Sequence, residues 1–206
     1  MNTDSVEPLR IACVGDSTTF GFGLENRREE AYPSVLQTLA GDAARVRNYG
    51  YSGATAARDG NEPYWQTTAF GDATRYQPEL VILLLGVNDA QHANRHTLDR
   101  FEADYRDLVA HFHGLVSKPA VLVGLPAPAF GPEDALDLRT LDEFIRPTVE
   151  QIAAETREVS IDFYTPLADR PDRFPDGVHP DAAGTRRLAE TAYEALVAGG
   201  HLPAAA

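Results

Sequence analysis

The sequence predicts an α/β protein with a parallel sheet, and three observations carry that prediction. Short apolar runs alternate with helix-like segments along the 206 residues. Val81-Ile82-Leu83-Leu84-Leu85 is apolar without alternation, as expected of a central strand covered on both faces. Near the end, Leu188, Ala189, Ala192, Tyr193, Leu196 and Val197 recur at helical spacing and give one apolar face.

The elements follow in order. The first strand spans 10–14, Arg10-Ile11-Ala12-Cys13-Val14, and runs into Gly15-Asp16-Ser17. A helix over 31–39 leads to a second strand at 45–48. The third strand, 80–85, precedes a helix over 97–115, and the fourth, 120–124, precedes one over 134–155. A fifth strand at 159–163 comes before a helix over 181–198, for which Asp181 is the N-cap. Two stretches resist the pattern: 52–70, a long polar connection holding Tyr64-Trp65, and the proline-rich loop 126–132. Both follow strand C-terminal ends, where open α/β sheets bind ligands. No repeat interrupts the chain, so residues 1–206 read as one domain with tails at 1–8 and 200–206.

Composition excludes several classes. Hydrophobic content of 43% and charged content of 24% are those of a globular protein rather than a disordered chain. A formal net charge of -13 argues against nucleic acid or an anionic membrane surface as partner. Cys13 is the single cysteine, so no intrachain disulfide forms, and its place inside an apolar run reads as packing. The first residues carry neither a basic nor an apolar signal region, and no stretch reaches the length of a membrane span. The expected compartment is the cytoplasm.

Four short motifs sit where chemistry is plausible: Gly15-Asp16-Ser17, Asn48-Tyr49-Gly50-Tyr51-Ser52-Gly53-Ala54-Thr55, Gly86-Val87-Asn88-Asp89 and Asp176-Gly177-Val178-His179. A serine at a strand end, a histidine and a carboxylate are the minimum parts for serine-based acyl transfer. Taken singly, each motif also reads as turn or capping chemistry. Their joint order across the chain makes the stronger case, and in that order the sequence resembles the SGNH (GDSL-like) hydrolase family. The resemblance implies a three-layer α/β/α sandwich with a five-stranded parallel sheet, the flavodoxin-like SGNH hydrolase fold. It implies Ser17 as nucleophile, His179 as base and Asp176 as the group that orients the imidazole. It places the oxyanion hole at the backbone N–H groups of Ser17 and Gly53 and the side chain of Asn88. Gly50 is also available, but Ser52-Gly53-Ala54-Thr55 matches the family's Ser-Gly-x-Thr form better. Asp16 and Asp89 read as caps on nearby backbone N–H groups.

The remaining histidines offer less. His92 and His96 have i, i+4 spacing, but with no third ligand nearby they read as a solvated helix start. No metal and no other cofactor is expected. The pocket should be lined by loops 18–24, 54–70, 90–96 and 126–132, with Tyr64, Trp65, Phe70 and Phe130 as aromatic substrate-binding walls. The loop pattern is similar to bacterial carbohydrate O-acetylesterases, so the expected partner is a small-molecule or carbohydrate ester. A thioesterase, lysophospholipase, acyltransferase or non-catalytic carbohydrate-binding relative stays open at this point. Monomer and dimer are equally compatible with the sequence.

Overall fold

A computed structural model describes residues 7–156 and 160–204. Five strands form one sheet: β1 (Leu9–Gly15), β2 (Ala44–Gly50), β3 (Leu80–Leu84), β4 (Ala120–Leu125) and β5 (Ile161–Asp162). All neighbours are parallel and the order is β2-β1-β3-β4-β5. From β1 the chain adds β2 on one side and β3, β4 and β5 on the other, so the strand order reverses between β1 and β3, the switch point at which such sheets open a crevice.

Alternation along β1 builds the two faces. Ile11 and Cys13 enter one core, while Ala12 and Val14 enter the other. On the first face, α3 (Tyr32–Ala40) supplies Tyr32, Val35, Leu36 and Ala40, and α8 (Ala182–Ala198) supplies Leu188, Ala189, Ala192 and Leu196. On the second, α4 (Thr68–Tyr76) gives Ala73, α5 (Leu98–His113) gives Phe101, Tyr105, Leu108 and Phe112, and α7 (Arg146–Thr156) gives Val149 and Ile152. The result is three layers, helices over both faces of one sheet. β3, with all five residues buried, is its spine. Each Leu, Val or Ile fully buried there contributes roughly 1.5–3 kcal/mol of transfer free energy.

Several elements differ from their sequence-based bounds for visible reasons. Ser17 does not end in a simple turn but opens a four-residue helix, α1 (Ser17–Phe20), followed by α2 (Arg27–Glu30). The polar stretch 52–70 holds the start of α4, capped by Thr67, whose hydroxyl accepts from the Phe70 N–H at 3.1 Å. The helix expected over 134–155 begins later, as α6 (Leu138–Thr140), and widens into a π-helical turn at Leu141–Ile145 before α7. Pro147 lies at that junction and has no N–H to continue the ladder, a common setting for a widened turn. β5 is only two residues long because the Asp162 carboxylate accepts from the Tyr164 and Thr165 N–H groups and turns the chain. Val159, the expected start of that strand, lies outside the described residues. Asp181 caps α8 as expected, accepting from the Gly184 N–H at 2.8 Å. Among the described residues, no helix is long and apolar enough to cross a membrane.

Cys13 lies at the centre of the first core with no exposure, and burial pushes its thiol up to about 12. It should therefore resist thiol-directed reagents at about pH 8 in the native protein and react only when urea unfolds the sheet. Rapid labelling without denaturant would contradict this packing.

Candidate active site

The site begins with sheet register. Gly15 at the end of β1 stands opposite Gly50 of β2 and Leu84 of β3. The segments leaving these three strands therefore start side by side, and they carry Ser17, Gly53 and Asn88. Asp16 turns the first of them: its Oδ1 accepts from the Thr18 N–H at 2.9 Å and sets Ser17 as the first residue of α1. The backbone N–H of Ser17 then lies at a helix start, where no intrahelical acceptor exists.

The fourth motif comes from the chain's far end. In the turn before α8, the Asp176 Oδ1 accepts from the N–H groups of Val178 (2.9 Å) and His179 (2.7 Å). Its Oδ2 lies 2.6 Å from His179 Nδ1, and His179 Nε2 lies 2.9 Å from Ser17 Oγ. A carboxylate only accepts, so Nδ1 carries the proton and Nε2 is left to accept from the serine hydroxyl. Partial burial pushes the Asp176 carboxyl up. The His179 N–H, the His179 ring and the Val178 N–H outweigh that and hold it below the ordinary carboxylate value. The structure thus brings Ser17, Asp176 and His179 into one hydrogen-bonded chain.

The two candidate glycines are separated by what surrounds them. A Cβ on Gly50 would sit 2.2 Å from the Phe20 nitrogen, and its N–H is already used by Asn48 Oδ1 at 2.9 Å. Gly50 is a point of close contact between β2 and α1. Gly53 has φ +83, a left-handed turn that favours glycine, with only the Glu62 side chain near its Cβ position. Across from it, Asn88 is buried and donates from Nδ2 to the Ala54 carbonyl at 3.0 Å, while its Oδ1 accepts from Gln91 at 2.7 Å. One Nδ2 hydrogen remains for another acceptor.

Asp89 holds this arrangement from behind. Its two oxygens accept from the N–H groups of Ala56 (3.0 Å) and Ala57 (2.9 Å). It caps a segment 33 residues away rather than its own turn, so the local reading of Asp89 is corrected. Burial lifts both Asp16 and Asp89 to about 6, against backbone hydrogen bonds that pull the other way.

Three of the expected aromatic walls serve packing instead. Tyr64 has no exposure, and its hydroxyl donates to the Tyr49 carbonyl at 2.7 Å. Trp65 donates from its ring N–H to the Ala56 carbonyl, and Arg58 lies 3.5 Å over its face. Phe70 packs among Tyr64, Trp65, His111 and Phe112. Tyr64 is closed to a substrate, and the partly exposed rings of Trp65 and Phe70 are engaged by these contacts. Phe130 is half-exposed and rests on Phe174, while its N–H donates to the Gly177 carbonyl at 2.7 Å, bracing the turn that carries His179. Arg146 anchors the same loop, donating to the carbonyls of Pro126 and Ala127, both at 2.9 Å. His92 Nε2 faces the Glu133 carbonyl, and the His96 ring nitrogens face the carbonyls of Ala93 and Asp59 rather than a centre shared with His92.

A cavity of about 520 Å³ reaches His179 and Asp176. Of the four expected loops only 18–24 lines it, through Phe22, Gly23 and Leu24. Loop 54–70 is pinned inward by Asp89, Asn88 and its own aromatic packing. Phe22 is the residue that sequence reasoning passed over. It is 49% exposed, and its ring lies 4.6 Å from that of His179. An aromatic residue between two glycines, five residues after the serine, is the signal that points to it.

An open parallel sheet with three of these segments leaving its strand ends and the fourth in the turn before α8 is the arrangement of a class, the ester hydrolases of flavodoxin-like topology. The chain belongs to the GDSL-like Lipase/Acylhydrolase family, whose profile it matches over residues 13–187. It is 28% identical over 208 residues to an acetylxylan esterase of Xylanibacter ruminicola, an alignment covering 92% of this chain and 43% of that protein. The chain thus spans less than half the length of that curated relative. Among solved structures it resembles an acetyl-xylooligosaccharide esterase of Geobacillus stearothermophilus, at 26% identity and a TM-score of 0.69 over 91% of this chain and 94% of that one. A carbohydrate acetylesterase family member from Sinorhizobium meliloti shares the fold at 22% identity, with a TM-score of 0.72 over 91% and 97% of the two chains.

The buried carboxylates give a pH test. Because Asp89 is lifted from an ordinary 3.8 to about 6, folding favours its protonated form, and that contribution is present at low pH and lost as pH rises through about 6. Asp89→Asn removes this titration. Between about pH 4.5 and about pH 7.5, wild-type stability relative to the variant should fall by roughly 2 kcal/mol, read from urea midpoints. A pH-independent difference would show that Asp89 does not titrate in this window.

Proposed function

We propose that this chain, an ester hydrolase by family, acts as a serine esterase that removes short acyl groups, chiefly O-acetyl groups on a carbohydrate, through an acyl-serine on Ser17. The observation that carries this reading is the continuous chain from Asp176 through His179 to Ser17 Oγ. A hydroxyl is a weak nucleophile until a base takes its proton, and His179 Nε2 is within reach to do so. The resulting imidazolium gains from the Asp176 carboxylate beside Nδ1.

In the first half-reaction the Ser17 oxygen bonds to the ester carbon, the proton passes to His179, and the carbonyl becomes an oxyanion. In this reading the N–H groups of Ser17 and Gly53 and the free Nδ2 hydrogen of Asn88 donate to it. The bond to the alcohol oxygen then breaks, and the alcohol leaves with the proton held on Nε2. In the second half-reaction, water gives its proton to Nε2 and bonds to the acyl carbon. The Ser17–acyl bond breaks, the proton returns to Ser17, and the carboxylic acid departs. Support for an acetylated carbohydrate comes from the acetylxylan and acetyl-xylooligosaccharide esterases that the chain resembles.

Ser17→Ala and His179→Ala should each lower turnover of p-nitrophenyl acetate by at least about 10³-fold while leaving the melting temperature within a few degrees. Asn88→Ala should cost about 10²–10³ in kcat. A serine-directed organophosphate should label Ser17, seen by mass spectrometry of the modified peptide. Normal esterase activity in Ser17→Ala would sink the assignment.

A further inference from the structure

The cavity beside His179 is lined by Phe22, Leu24, Glu25, Glu30, Pro175 and Pro180, together with the edges of Asp176 and Asp181. None of the groups placed for the oxyanion, Ser17, Gly53 or Asn88, is among its lining residues. That division has a mechanistic meaning. The carbonyl oxygen must point at the oxyanion donors, whereas the alcohol oxygen must lie where His179 Nε2 can protonate it. A space that touches the histidine but not the oxyanion donors is open to the alcohol half of the ester. At about 520 Å³ it lies within the size range of small-ligand pockets.

Its walls are chemically specific. Phe22 presents a half-exposed ring at the mouth of the cavity, tilted 47° to the His179 ring. The acidic groups divide into occupied and available ones. Asp176 is spent on His179 and its own turn, and Asp181 on the cap of α8 and on Arg173. Glu30 accepts from the Asn26 N–H through one oxygen, leaving the other, and Glu25 projects from an exposed loop. No lysine or arginine lines the cavity among the described residues.

We infer that this cavity is the subsite for the alcohol half of the ester, with Phe22 as its platform and Glu25 and Glu30 as acceptors for hydroxyl groups, and that it takes a neutral, hydroxyl-rich alcohol and turns away an anionic one. The apolar face of a sugar ring covers Phe22, and its hydroxyls donate to the glutamates. A carboxylated sugar brings a like charge against Glu25 and Glu30 with no cation among the lining residues to offset it, a repulsion that salt screens only in part. The inference rests on the proposed esterase reading and deepens it.

The test compares three acetyl esters on the full chain: ethyl acetate, whose alcohol is too small to reach the glutamates, an acetylated methyl xyloside, and the matching acetylated methyl glucuronoside. For the wild type at low salt, kcat/KM for the xyloside should exceed that for the glucuronoside by about tenfold or more, a gap that narrows as salt is added. Glu25→Gln with Glu30→Gln should narrow it further. Phe22→Ala should lower kcat/KM for the xyloside about tenfold more than for ethyl acetate, chiefly through KM. Equal use of the two sugar esters by the wild type, or an equal loss on ethyl acetate and xyloside in Phe22→Ala, would overturn the subsite. Hydrolysis of ethyl acetate that survives Ser17→Ala would instead overturn the esterase reading, so the two failures are distinct.

Discussion

The parallel register that sets Gly15 opposite both Gly50 and Leu84 is the constraint on which the site depends. It starts three segments from one line, and Ser17, Gly53 and Asn88 lie two, three and four residues beyond it. Nothing in those segments alone could bring them together. The register is itself held by the cores on either face. A slip of one residue in β1 would send Ile11 and Cys13 into the layer built around Ala12 and Val14, and small residues would face the space that large ones fill. Packing energy spread across both layers thus fixes geometry at a few atoms at one end of the sheet.

Around that line the structure accepts a local cost to keep backbone donors in place. Asp16 and Asp89 are both nearly inaccessible, and burial opposes their charge. Each is compensated by backbone N–H groups it orders: Thr18 for Asp16, Ala56 and Ala57 for Asp89. A neutral side chain would remove the desolvation penalty but would leave those N–H groups without a charged acceptor. The segment after Gly53 would then lose two of the bonds that hold it against Asn88. Rigidity of the donors, rather than stability of the fold, is what this arrangement favours.

Much of this was legible in the chain, and the limits are physical. β3 and α8 were readable because burial imposes continuous or helical apolar patterns on them. The four motifs were readable because short segments after strands carry their polar residues in a fixed order. By contrast, α4 was hidden because its Gly71, Asp72 and Thr74 weaken helix propensity, and only packing of Phe70 and Ala73 makes it pay. Tyr64, Trp65 and Phe70 looked like substrate walls because a sequence does not say which side of a loop an aromatic ring faces. Phe22 was passed over for the converse reason: a single exposed ring has no periodic partner, and its meaning comes only from the histidine 157 positions later in the chain that folds against it.

The contrast between the two sides of Ser17 follows from the same geometry. Toward the proposed oxyanion donors, the chain is fixed by buried carboxylates, by the Asn88–Ala54 bond and by the register itself. Toward the proposed alcohol subsite, the walls are an exposed loop after α1 and the turn before α8, brought together by the Phe22–His179 contact and the Ser17–His179 bond. The reacting carbonyl is the same in every ester, so its site gains from being unchanging. The alcohol varies from ester to ester, and its surroundings sit on loops whose residues can change without disturbing the sheet. Asp176 lies on the boundary between the two regimes, one oxygen shaping the turn and the other orienting the imidazole. A change in the loop after α1 can therefore alter which alcohol fits while the turn that positions His179 keeps its own hydrogen bonds.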